Sequence, residues 1–212
     1  MSGARALLMT LRLLDGRYHG AGDWPPSPFR LFQALVAGAY GGRWAAEPPE
    51  AKDRAFRWLE GLPAPLIAAP PVRAGAAFTH FVPNNDLDAV GGDPARLAEI
   101  RVPKRVRPLI VTGEAALLYA WRFDRDDDVH ARLLCRLAER LHHLGRGVDP
   151  AFAEAAVHDW PDAEARLAAH GGAIARPSSA GGADDPRCPT EGSLDGLKTA
   201  FAAAGRKFKT PP

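Results

Sequence analysis

"DWPPSPFRLFQALVAGAY" (residues 23–40) sets three prolines within four positions and then turns abruptly apolar. Ser27 is placed as an N-cap and Pro28 as the first helical residue, where a missing N–H costs nothing. Phe32, Leu35, Val36 and Ala39 follow at helical spacing, and Gly41-Gly42 ends the predicted helix. Just upstream, in "LMTLRLLDGRYHG" (8–20), a strand runs into a glycine-flanked turn. Over residues 6–13, Leu7, Met9, Leu11 and Leu13 alternate with Leu8, Thr10 and Arg12, which predicts one buried and one mixed face. A proline turn this stiff, between a first strand and a first helix, implies a segment that must hold its shape against a partner.

Working outward, a second helix is predicted at about 49–61, with Ala55, Phe56, Leu59 and Leu62 inward. "APLIAAPPV" (64–72) reads as a strand and "AAFTHFV" (76–82) as its extension. From residue 83 to residue 107 there is no periodicity, which predicts a long loop or an extruded hairpin, and such a loop in a compact domain is usually functional or disordered. "PLIVTGEAALLYAWRF" (108–123) predicts two strands about Gly113-Glu114, with Leu117, Tyr119, Trp121 and Phe123 on one face. Asp126, Asp127 and Asp128 suit a helix start. Val129, Leu133, Leu134, Leu137, Ala138, Leu141 and Leu144 then predict one long helix stopped by Gly145. The order is β-α-α-β, then β-β-α: an α+β fold with helices on one face of an antiparallel sheet, of ferredoxin-like or RRM-like type. Residues 1–160 are read as this domain, with 83–107 as a thumb-like insertion. Residues 161–212, with "ARPSSAGGADDPRCP" (175–189), are read as a partly flexible extension.

Composition narrows the function classes. The chain is 46% hydrophobic and 25% charged, with a formal net charge of only +2. No apolar run approaches the ~18 residues of a membrane span, and no signal-peptide pattern opens the chain, so a cytoplasmic protein without membrane contact is expected. Cys135 and Cys188 predict neither a disulfide nor a zinc site. The cations are uneven: "RVPKRVR" (101–107) and "GRKFK" (205–209) carry no acid.

"GRYHG" with "DWPPSPFRLFQALVAG", "FVPNND" (81–86), the basic segment, "LYAW" (118–121) and "LAERLHHLGRG" (137–147) occur in an order that resembles one family. They are similar to the N-terminal half of the large subunit of type I-G (formerly I-U) CRISPR effector complexes, over roughly residues 5–150. The proline-rich motif is the most specific of the set. In that family a RAMP-superfamily subunit that binds the 5′ handle of the crRNA is fused to a crRNA-processing endoribonuclease. The resemblance implies an RRM-like RAMP fold with a thumb. It also implies binding of the guide-RNA 5′ handle beside the backbone and large subunits of a Cascade-like complex, with target DNA an indirect partner. The processing half has no counterpart in these residues, so this chain is not expected to be an enzyme.

The residues support an RNA-binding reading in their own right, since Arg and Lys hold phosphates and glycine turns admit the backbone closely. Arg101, Lys104, Arg105 and Arg107 are expected to contact RNA. So are Arg17, Tyr18 and His19 in the glycine-bounded turn, Arg30 beside a helix N-terminus whose free N–H groups favour phosphate, and Arg146 in the second glycine turn. The plain alternative for each is a solvated or packing residue. Tyr18 and His19 also allow a second function, metal-independent cleavage of repeat RNA by a general base. A third class is a protein-interaction scaffold whose cations meet acidic neighbours. No catalytic residue, metal or cofactor is assigned: "DRDDD" (124–128) fits a helix start, Trp24, Trp58 and Trp121 read as core, and His142-His143 as a helix-surface pair.

Overall fold

The computed structural model describes residues 3–20, 24–41, 48–83, 93–113, 116–124, 128–178 and 186–207. Strand β1 (Arg5–Leu13) lies between β8 (Leu117–Phe123) and β9 (Ala151–Asp159), antiparallel to both. With β3 (Leu66–Ala69) and β10 (Ala173–Ala175) they make a five-stranded sheet ordered β10-β3-β8-β1-β9. Helices α1 (Pro28–Tyr40) and α2 (Pro49–Glu60) connect β1 to β3, and α3 (Asp128–Ala138) connects β8 to β9.

The alternation read in β1 decides the layering. Leu7, Met9 and Leu11 join Leu117, Tyr119, Trp121 and Phe123 in the main core, under Leu31, Phe32, Leu35, Phe56, Leu59 and Leu134 of the three helices. Burying each such side chain stabilises the fold by ~1.5–3 kcal/mol, so this layer dominates. On the opposite face Ala6, Leu8, Leu66, Ala68 and Ala120 pack beneath Ala163 and Leu167 of α4 (Trp160–Ala168). The architecture is α+β with helices on both sheet faces, rather than on one as expected.

The α1 entrance is built as the sequence predicts. Ser27 Oγ accepts from Arg30 N at 3.2 Å with Pro28 inside the first turn. The proline segment is tied inward: buried Tyr119 donates its hydroxyl to Pro26 O at 2.5 Å, and Trp24 Nε1 donates to Pro70 O at 3.0 Å. Trp24, Trp58 and Trp121 all sit in or against the core, with Trp58 edge-on to Phe123.

Two expectations about α3 need correction. The helix expected to run to Gly145 stops at Ala138; Leu141 and Leu144 are buried from an irregular loop. Val129 is 68% exposed, because at 3.6 residues per turn it falls off the stripe centred on Leu134 and Ala138. The two strands expected in 108–123 are present but belong to different sheets: β7 (Leu109–Val111) joins β2 (Arg17–Tyr18) and β4 (Val72–Ala74) in a second sheet ordered β2-β7-β4. Strand β9 was not foreseen.

Residues 161–212, set apart as an extension, supply β10 and, in α5 (Ser193–Lys207), the fully buried Leu194. Glu60 receives the backbone N–H groups of Leu194 (2.5 Å) and Gly192 (3.1 Å), while Lys198 Nζ donates to both Asp53 oxygens at 2.5 Å. Gly42, residues 84–86, Glu114, Asp126, Asp127, residues 179–185 and residues 208–209 lie outside the described residues.

Candidate nucleic-acid interface

Between β3 and β8 the chain leaves the main sheet and makes an arm. It goes out through β4 and β5 (Phe78–Pro83) and returns through β6 (Arg101–Val106) and β7. "RVPKRVR" is therefore largely a strand, and of the two alternatives for 83–107 the structure has the hairpin, longer at its base than the aperiodic segment suggested. β-branched Val102 and Val106, with Phe78, Phe81 and Val82 opposite, suit a two-stranded ribbon. A short 3-10 helix, Pro94–Glu99, precedes the return strand. At the joint between the two strand pairs Gly75 N donates to Pro108 O at 2.8 Å, and a Cβ at Gly75 would sit 2.9 Å from Pro108 Cγ.

Arg101, Lys104, Arg105 and Arg107 are all exposed, and among the described residues none has a hydrogen-bonding or ion-pair partner for its side chain. The nearest acid in sequence, Glu99, is held by Arg96 at 2.8 Å. The register divides the cluster: Lys104 faces His80, whereas Arg105 faces Thr79 and Arg101 faces Pro83 on the other side of the ribbon.

At the arm's base, Arg17 and Arg73 both pair across Ile110, which places the two arginines on one face of the small sheet. Arg73 escaped the sequence reading, since only the β2-β7-β4 pairing brings it into line with Arg17. Beside this sheet a cleft of about 410 Å³ is lined by Arg12, Leu13, Gly16, Trp24, Pro70 and Val111, among others.

Tyr18 alternates to the opposite face from Arg17 and is 2% exposed, against Trp24 at 5.7 Å between ring centroids. His19 is 6% exposed and bound to Asp149, which is 0% exposed. Asp149 Oδ1 accepts from His19 N at 2.9 Å and lies 2.6 Å from His19 Nδ1, and Oδ2 accepts from Arg146 N at 2.9 Å. A carboxylate only accepts, so the Nδ1 end of the ring donates to it. Tyr18 and His19 are thus packing and tying residues, and the turn presents Arg17 alone to solvent. Asp149 joins two predicted sites, "GRYHG" and "LGRG", and was itself missed; an Asp that closes a glycine turn just before Pro150 is the signal that pointed to it.

Gly145 is the residue that lets this happen. Its φ of +112° is left-handed, and a Cβ there would lie 2.8 Å from Tyr18 Cε2 and 2.9 Å from Asp149 Oδ2. It is a packing glycine in a loop, not the helix cap expected. The side chain of Arg146, next to it, is exposed.

Arg30 is not brought to this surface by any contact. The phosphate-binding rationale for it also fails, because the α1 N–H groups are taken: Phe29 N donates to Arg187 O at 2.8 Å, Arg30 N to Ser27 Oγ and Leu31 N to Ser27 O. The central strands offer no RRM-style stacking face either. Their outward residues, Ala6 and Leu8 of β1 and Ala120 of β8, lie under α4.

Among the described residues no group of three or more His, Cys, Asp or Glu side chains is arranged to hold a metal, and no helix is long and apolar enough to cross a membrane. Burial pushes the Cys135 thiol up to about 11, despite Arg132 and Arg136, a direction that disfavours the thiolate.

No curated protein matches the chain significantly. Among solved structures, one described as "Crystal structure of a CRISPR protein from Archaeoglobus fulgidus" is similar at a TM-score of 0.36 and 13% identity. The match covers 72% of this chain and 61% of that one, and the likeness is too slight to build on. Residues 1–211 match the family described as "CRISPR-associated protein, GSU0054 family", and the chain belongs to that family of CRISPR-associated proteins.

Proposed function

We propose that the chain is the guide-RNA-binding subunit of a type I CRISPR effector complex of the Cascade-like, type I-G kind. In this reading it grips the 5′ handle of the crRNA and helps assemble the backbone and large subunits for DNA interference. The observation that carries the reading is the arm: a two-stranded scaffold whose Arg101, Lys104, Arg105 and Arg107 are exposed and, among the described residues, without an ion-pair partner, rooted beside the Arg17–Arg73 row. Exposed cations with no acid between them are what neutralisation of phosphates requires. Membership of a CRISPR-associated family makes guide RNA the nucleic acid to test. The order β3-β8-β1-β9, with helical connections after β1 and β8, supports a ferredoxin-like, RRM-like domain of the RAMP type.

The test is binding of repeat-derived RNA across a salt series. Replacing all four arm cations with Ala should weaken binding and flatten log K against log salt by up to ~0.7 for each phosphate no longer neutralised. A folded quadruple variant with unchanged affinity and slope refutes the reading and leaves the cations to an acidic protein neighbour.

A second reading, metal-independent cleavage of repeat RNA, is favoured by one observation: a carboxylate orients His19 as it would a general base. Against it, the burial of His19 and Tyr18 leaves neither open to a ribose 2′-hydroxyl. The same RNA incubated with the full chain in EDTA should show no specific cut. A single cut lost in Tyr18→Phe or His19→Ala would promote this reading over the first.

A further inference from the structure

We infer that the two faces of the β5–β6 ribbon have different tasks, and that the face carrying Phe81, Arg101 and Arg105 is a stacking site for one base of single-stranded guide RNA. The inference rests on the RNA-binding reading above and adds to it a residue and a geometry. Opposed residues of an antiparallel pair share a face, so the register puts Phe78, His80, Lys104 and Val106 on one side. That side is anchored: Val106 is buried, and Phe78 meets the His19 ring edge-on at 5.9 Å. The other side holds Thr79 and Phe81 with Arg101, Pro103 and Arg105, and contains no acid.

Phe81 is 58% exposed at the middle of this second face, opposite Pro103. Arg101 and Arg105 flank it, four residues apart along one strand and therefore ~13 Å apart. A large aromatic ring left in water between two exposed cations contributes little to the fold. The arrangement instead suits one splayed base on the ring with a phosphate held on either side. Charge selects the occupant: an acid-free face with two guanidinium groups matches a polyanion, and an aromatic face matches unpaired bases rather than duplex.

The full chain, titrated with single-stranded RNA containing 2-aminopurine, tests this. Phe81→Ala leaves the core intact, and should weaken binding about 5- to 150-fold, remove the stacking-induced fluorescence change and leave the salt slope as in the parent. Phe81→Trp should restore both affinity and signal. Arg101→Ala with Arg105→Ala should lower the slope by ~1.4, for two phosphates on a single strand. Lys104→Ala, on the anchored face, should keep the fluorescence change. If the parent binds RNA and Phe81→Ala binds it equally well, the stacking site is refuted while RNA binding stands. If the parent binds no RNA, both fall. A stronger response to the deoxy strand of the same sequence would give the face to DNA and overturn its assignment to guide RNA.

Discussion

Asp149 is where the arm's base is fastened to the body, and removing its carboxylate is the sharpest test of how the site is held. Three donors converge on it at 2.6–2.9 Å: the backbone and ring N–H of His19 and the backbone N–H of Arg146. Asp149→Ala orphans all three. An unsatisfied buried donor costs ~1–3 kcal/mol, and the Arg146 end is close enough to solvent to recover part of its share, so a net loss of about 3–5 kcal/mol follows. At this chain length each kcal/mol moves Tm by ~2–4 °C, which puts the variant about 10 °C below the parent. Urea unfolding followed by circular dichroism gives the free energy directly. Asp149→Asn should fall between the two, because it keeps one accepting oxygen but turns an amide toward a donor. The folded fraction should bind RNA more weakly with nearly the same salt slope, since geometry is lost but no cation. A loss of under ~1 kcal/mol for Asp149→Ala would refute the account, because buried orphans cannot be that cheap.

Gly145→Ala should destabilise by at least ~2 kcal/mol, through left-handed strain and collision with Tyr18 and Asp149. Gly147→Ala, where a Cβ meets no atom within 4 Å, should change the urea midpoint little, and equal effects would count against the packing role. For Asp53, burial raises the carboxyl pKa, but the hydrogen bonds from Lys198 and Tyr40 outweigh it and hold the value below its ordinary 3.8. The stabilisation is therefore complete well above pH 3.8 and is lost as the pH falls through the lower folded value. Asp53→Asn should lower Tm near pH 6, with the gap closing at the acid end of the range. A gap independent of pH would show that the ion pair does not secure α5.

The main sheet was legible because its strands carry alternation over several residues, and residues 7–11 and Leu117–Phe123 each state a buried face outright. What escaped were elements whose signal is weak in isolation. β9 (AFAEAAVHD) alternates only alanines and a valine against Phe152, Glu154 and His158; a small side chain is buried there because β1 already supplies the bulk. The segment beyond residue 160 reads as a partly flexible extension because it is rich in Ala, Gly and Pro, yet Leu194 and the Glu60 carboxylate hold its last helix down. Long-range capping of that kind leaves no local pattern. The reverse error, extending α3 to Gly145, came from periodicity that continued past the helix: Leu141 and Leu144 are buried, but from a loop.

At the interface, charge was legible and sidedness was not. Four cations in seven residues could be seen in the sequence, but a loop reading makes them one interchangeable cluster. Strand pairing breaks that equivalence. A ribbon turns alternate residues to opposite faces, so Arg101 and Arg105 share one face, Lys104 lies on the other, and Arg73 enters through its shared partner with Arg17. This changes what the electrostatics can do. On the proposed reading, a single strand following one face would gather two arm phosphates there, and further phosphates would have to be met by the Arg17–Arg73 row or by a turn around the ribbon edge toward Lys104. Additive single substitutions would favour a strand wrapping the edge; weakening concentrated in Arg101 and Arg105 would favour a strand lying flat along Phe81. The same purified variants decide between these paths, because each neutralised phosphate adds its own ~0.7 to the slope.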